Sequence, residues 1–131
     1  MNLNTPKIKV KKTTEDVYLF LTDVKNFEKI MPENIDKFEL TEDGFLFALK
    51  GMPTIKLKLT EKIPNKKVIL GSATEKFPFT LTANIEENTD TNAIVNFDFE
   101  GTFNAMISMM VKKPLQKFIN TLSDNLENLD S

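Results

Sequence analysis

Between Ile35 and Glu100 apolar and polar residues alternate with a period of two, and from about Asn104 to Leu129 the period becomes helical. That change of period constrains the fold more than any other feature. Alternating strands joined by short connections make an antiparallel sheet with one dry face and one wet face. The dry face must be covered, and a single long amphipathic helix at the end of the chain is the main element left to cover it. A Phe-rich sheet closed by one helix becomes a cup gripping that helix, with apolar space between the two.

The strands read individually as follows. Phe38 and Leu40 lead to Asp43-Gly44, a two-residue hairpin signal, and Phe45, Phe47 and Leu49 return on the far side. Gly51-Met52-Pro53 breaks the pattern. Ile55, Leu57 and Leu59 then alternate with Lys56, Lys58 and Thr60, and Pro64-Asn65-Lys66-Lys67 is a turn. The next strand, Val68 to Ala73, is ambiguous: its inward set is either Val68, Leu70 and Ser72 or Ile69, Gly71 and Ala73. Phe77, Phe79, Leu81, Ala83 and Ile85 give the cleanest alternation. After the polar loop Asn88–Asn92, Val95, Phe97 and Phe99 alternate with Asn96, Asp98 and Glu100.

Ahead of these strands, Lys7-Ile8-Lys9-Val10-Lys11 predicts one strand with a wet face. Thr13 or Thr14 caps a helix whose first turn carries Glu15 and Asp16, acidic side chains suited to the positive end of the helix dipole. Val17, Phe20, Leu21 and Val24 form its buried stripe. A second short helix is expected over Val24–Ile30, ending before Pro32. In the C-terminal helix Phe103, Met106, Ile107, Met110 and Pro114 share one face. Leu115, Phe118, Ile119, Leu122 and Leu126 share another, about a quarter-turn away. Pro114 sits at the change of face, where its missing N–H predicts a kink. The crowding of Asp124, Glu127 and Asp130 at the negative end of the helix dipole predicts fraying there.

The 131 residues suit one domain with a real core, and we read 1–131 as such. No repeat or low-complexity tract interrupts them. No apolar run approaches the roughly 20 residues of a membrane span. The start of the chain lacks a basic segment followed by an apolar one, so a cytoplasmic location is expected. There is no Cys and no His, which removes disulfides, thiolate chemistry, the usual neutral-pH proton shuttle and the commonest metal ligand. All 17 basic residues are Lys, and with a net charge of −2 nothing favours nucleic acid. Neither a cofactor nor a metal site is called for: no ligand spacing, phosphate-cradling glycine loop or nucleophilic triad is present.

The order strand, two short helices, strands and long C-terminal helix resembles the helix-grip fold of the START/Bet v 1-like superfamily, which includes lipid-transfer domains, plant allergens and polyketide cyclase-like proteins. Thr14-Glu15-Asp16-Val17-Tyr18-Leu19-Phe20-Leu21-Thr22-Asp23 with Met31-Pro32 is similar to the opening of bacterial members. Phe103-Asn104-Ala105-Met106 is similar to their approach to the long helix. The expected fold class is therefore α+β: a curved antiparallel sheet of about seven strands around a long C-terminal helix, with two short helices after strand 1. The glycine-rich loop of the plant members has no counterpart, since the equivalent hairpin is the bare Asp43-Gly44.

The resemblance implies a small hydrophobic ligand, a lipid, isoprenoid or polyketide-like molecule, held between sheet and helix. The residues expected to line its cavity are Phe45, Phe47, Leu57, Phe77, Phe79 and Leu81 in the sheet. Phe97, Phe99, Phe103, Met106, Ile107 and Met110 continue the lining from the last strand into the helix. Against this stands a cup simply filled by its rings. Methionine is flexible core filler as well as lid material, and Met109, off the main stripe, is expected exposed or at a mouth. Tyr18, Ser72 and Glu75 are the candidate polar selectors, Glu75 only if the second register of its strand holds. Asp98 and Glu100 alternate with apolar residues and should face water. Lysines of the first strand and Lys56, Lys58, Lys62, Lys66 and Lys67 form solvated faces, or a patch for anionic headgroups in a weak membrane-surface contact. Two other functions remain open. One is a cyclase- or hydrolase-like enzyme using one carboxylate or Tyr18. The other is a co-chaperone-like interaction module with a filled core and an apolar patch near Met109.

Overall fold

The computed structural model describes residues 1–50, 54–73 and 78–129. Their order is β1 (Asn2–Asn4), β2 (Ile8–Val10), α1 (Thr14–Thr22), a 3₁₀ helix (Val24–Ile30), β3 (Ile35–Leu40), β4 (Gly44–Leu49), β5 (Ile55–Ile63), β6 (Lys67–Ser72), β7 (Phe79–Glu87), β8 (Ala93–Gly101) and α2 (Ala105–Glu127). All strand pairs are antiparallel, in the order β1-β8-β7-β6-β5-β4-β3, with β2 also on β8. The curved sheet and long terminal helix are the helix-grip α+β arrangement expected from the sequence.

The expected first strand is in fact two. β1 and β2 run along the same edge of β8, and their registers differ by one residue across Thr5-Pro6-Lys7. Pro6 has no N–H to give a ladder, so the pairing breaks there. Thr5 repairs the break. Its N–H donates to the Phe97 carbonyl at 2.9 Å, and its Oγ1 accepts from the Phe97 N–H at 2.9 Å. Both groups are buried, which explains why a polar side chain is kept at 4% exposure in an apolar wall.

α1 starts where its cap predicts: Thr13 Oγ1 accepts from the Asp16 N–H at 3.1 Å. Val17 and Leu21 are buried against β6 and β7, while Phe20 and Val24 are half-buried at the margin of the core. The second short helix occupies Val24–Ile30, as expected, in 3₁₀ form.

The β3–β4 turn differs from its sequence reading. Thr41 N–H donates to the Gly44 carbonyl, so the two turn residues are Glu42 and Asp43 and Gly44 already belongs to β4. What Gly44 supplies is close approach: a Cβ there would overlap the Leu57 carbonyl of β5. At the β5–β6 turn Asn65 has φ 61°, following Pro64, the residue pair a type II turn asks for. β6 takes the first of its two registers. Val68 and Leu70 are each 1% exposed, which places Ser72 on the inward side of that alternation. Gly51-Met52-Pro53, Glu75, Phe77 and Asp130 lie outside the described residues.

The core is a ladder of rings. Phe45 stacks on Phe27 and Phe38 with centroids 5.1 and 5.3 Å apart, contacts Phe47 at 6.0 Å, and Phe47 stacks on Phe118 of α2 at 4.7 Å. α2 runs unbroken through Pro114. Its polar anchors are Gln116, which donates to the Asn4 carbonyl at 3.0 Å, and Asn125, which donates to the Ile30 carbonyl at 2.9 Å. Its buried residues begin only at Leu115; from Ala105 to Pro114 none is fully buried.

Candidate functional site: an apolar cavity under the first half of the C-terminal helix

The two halves of α2 do different things, and the site follows from that division. Leu115, Phe118, Ile119, Leu122 and Leu126 seal the second half onto the core. The first half stands off the sheet. It begins at an Asn104 cap, whose Oδ1 accepts from the Ile107 N–H at 2.9 Å. Just before the cap, Phe103 lies over Phe99, centroids 6.3 Å apart, and Phe99 stacks on Phe79 at 5.2 Å. Gly101 makes room for this: a Cβ there would come within 2.8 Å of the Phe103 ring.

Between the Phe47–Phe118 stack and the Phe79–Phe99–Phe103 stack lies a cavity of about 660 Å³, open on one side. Its sheet wall is Phe47 and Leu49 from β4, Ile55 and Leu57 from β5, Phe79 and Leu81 from β7, and Phe99 from β8. Its helix wall is Ile107, Met110, Val111, Pro114, Leu115 and Phe118, with Phe103 at the near end. Polar groups gather at the margin: Asn34, Thr54 and Thr121, with Lys50, Lys113 and Lys117. Among the described residues no carboxylate lines it.

Eight of the twelve residues expected to line such a space meet at this wall. Phe47, Leu57, Phe79, Leu81, Phe99, Phe103, Ile107 and Met110 are brought together. Met106, on the same helix edge, is 73% exposed and outside the wall. Phe45 and Phe97 point to the correct face of the sheet but sit deeper, 0% and 1% exposed, in the solid part of the core. Phe77 falls outside the described residues.

The candidate polar selectors are not at the wall. Tyr18 is half-buried on α1, its carbonyl accepting from Thr22 Oγ1 at 2.9 Å. Ser72 pairs with Leu57 across β5–β6 but does not reach the cavity. Glu75 is outside the described residues. Asp98 faces the wet side as expected and accepts from Asn84 Nδ2 at 2.7 Å. The sequence reading missed Leu49, Ile55, Val111, Leu115 and Phe118 as wall residues. All but Val111 carried an apolar-face signal, and what hid their role was depth rather than direction.

No family model matches the chain, and no curated protein matches it by sequence. The arrangement of its elements does match solved structures. A START superfamily protein from Mycobacterium smegmatis superposes with a TM-score of 0.69 at 11% identity, covering 98% of this chain and 99% of that one. The fold is therefore START-like. A conserved protein from Geobacillus kaustophilus superposes with a TM-score of 0.71 at 17% identity over 97% and 93% of the two chains. The di-domain ARO/CYC BexL gives 0.66 at 16% identity; 97% of this chain covers 46% of that one, about half its length. In this chain the START-like cup is closed at one end by the Phe47–Phe118 stack and left hollow at the other. No helix among the described residues is long and apolar enough to cross a membrane.

Proposed function

We propose that this protein binds a small hydrophobic molecule, a lipid, isoprenoid or polyketide-like ligand, in the cavity between the sheet and the first half of α2. The observation that carries the reading is the continuous apolar wall around about 660 Å³ of open space. Sites for small organic ligands run from about 300 to 1,000 Å³ and are mostly apolar. The helix that closes this one contributes no fully buried residue until Leu115, so the space is not a packing gap inside a solid core. Affinity would come mainly from burial, at about 25 cal/mol per Å² of apolar surface. With polar groups only at the margin, discrimination between ligand skeletons is weak. A cytoplasmic setting belongs to the same proposal, in keeping with a chain without Cys.

An enzymatic reading needs a carboxylate or Tyr18 at the wall, and among the described residues neither is there. One observation favours a second reading. Met106, Met109 and Met110 are 73%, 83% and 69% exposed along the first half of α2, an apolar strip of the kind that marks a contact with another molecule. In that reading the strip, not the cavity, carries the function.

Native mass spectrometry of gently purified protein, followed by organic extraction, separates the two. The ligand reading expects a lipophilic adduct near one per chain, lost in Phe79→Glu and kept in Met109→Lys. A clean mass that takes up nothing from a mixture of fatty acids, isoprenoids and aromatics contradicts it.

A further inference from the structure

One edge of α2 reads Met106, Met110, Lys113, Lys117, spaced i, i+4, i+7, i+11, so these four side chains follow one line along the helix. Met110, Lys113 and Lys117 on that line border the open side of the cavity, and Lys50, at the end of β4, borders it from the sheet. Lys56 also touches the cavity, but it alternates with Ile55 and Leu57, which places its charge on the outer face.

Among the described residues no carboxylate lines the mouth, although Glu33 lies in the chain between Pro32 and Asn34, which do line the cavity. From Gly101 to Ser123 the chain holds three of its 17 lysines and none of its 19 acidic residues. Lys7, Lys25 and Lys37 pair with Glu86, Asp23 and Glu39, whereas Lys50, Lys113 and Lys117 make no ion pair among the described residues. A local excess of positive charge therefore faces an apolar chamber in a protein whose net charge is −2.

We infer that the ligand is an amphipathic anion, with its apolar body in the cavity and one acidic headgroup held at the mouth by Lys113 and Lys117, with Lys50 opposite. The inference rests on the ligand-binding reading above and adds the charge of the ligand to it. Lysine stems lie along apolar surface while their ammonium groups reach water, so the mouth keeps its charge when the chamber fills. A wall of low polarity on one side strengthens the attraction of those ammonium groups for an anion relative to open water. A neutral ligand of the same skeleton forgoes that attraction, and a cationic one is repelled. Because every basic residue is Lys, the mouth presents point charges and no planar fork. Carboxylate and phosphate heads therefore share the chemistry that is recognised.

Isothermal titration with four probes sharing a twelve-carbon tail tests this: dodecanoic acid, dodecyl phosphate, 1-dodecanol and dodecyltrimethylammonium, each below its micellar concentration. The acid, the phosphate or both should bind about tenfold tighter than the alcohol, the equivalent of one hydrogen bond to a charged group. The cationic probe should bind most weakly. The ranking of acid against phosphate names the headgroup. In Lys113→Gln/Lys117→Gln the advantage should disappear while the alcohol binds as before; Lys66→Gln, far from the mouth, should change nothing. Equal binding of acid and alcohol, unaltered in the double variant, overturns the inference and leaves the cavity as a neutral site. Failure of all four probes to bind overturns the ligand-binding reading itself, a different result.

Discussion

Phe47 and Phe118 stack with centroids 4.7 Å apart and rings 12° from parallel, and this pair divides the protein in two. On one side Phe118 and the residues after it close α2 onto a solid core. On the other, the same rings are the floor of the cavity. The stack joins β4 to α2 directly, so it both holds the helix down and fixes how far the hollow extends.

Phe118→Ala should remove the floor and cost about 3–5 kcal/mol, the usual penalty for truncating a buried ring. Urea unfolding followed by circular dichroism measures it. A cost below about 1 kcal/mol would mean that the stack does not carry the load assigned to it.

Gly44→Ala should cost about 1–3 kcal/mol through overpacking, because the new methyl meets the Leu57 backbone carbonyl rather than a movable side chain. Asp43→Gly, at the turn proper, should be within about 0.5 kcal/mol of the parent. Paired unfolding curves decide; the reverse ranking would restore the reading of Gly44 as a turn residue.

Thr5→Val keeps the shape but leaves the buried Phe97 N–H without its acceptor, a loss of about 1–3 kcal/mol. Hydrogen exchange at the Phe97 amide should quicken, and Thr5→Ser should restore protection. An unchanged exchange rate would show that the repair across Pro6 does not depend on the hydroxyl.

Asn104→Ala removes the cap of the helix half that roofs the cavity, at about 1 kcal/mol. The first turn should fray, so protection at Ile107 and Ser108 should fall while Ile119 and Leu122 stay protected. Uniform loss along α2 would contradict the division of the helix into a standing half and a sealed half.

Much of this was legible in the sequence, because direction is a local property. Period-two alternation assigns Phe97 and Phe99 to the same face of β8, and both are indeed inward. Depth is not local. Phe97 is in the solid core and Phe99, two residues on in the same strand, borders the cavity, a difference that depends on where α2 packs against the sheet. The same applies to Phe45 and Phe47, and to Phe118, which the helical period marks as core without revealing that its far side is empty. The break at Pro6 could have been read from the missing donor. The role of Gly44 could not, since its constraint comes from β5. The lysine line of α2 was visible as spacing, but only the cavity gives it something to face.

The central claim is that the hollow under the first half of α2 takes up an apolar ligand. Titrating 1-dodecanol into protein carrying ¹³C-labelled Met, Leu and Ile methyls tests it most directly. The account predicts saturable shifts at Leu57, Leu81, Ile107 and Met110 and none at Leu21 or Leu122. Shifts confined to the exposed Met106 and Met109, or none at saturation, would contradict it.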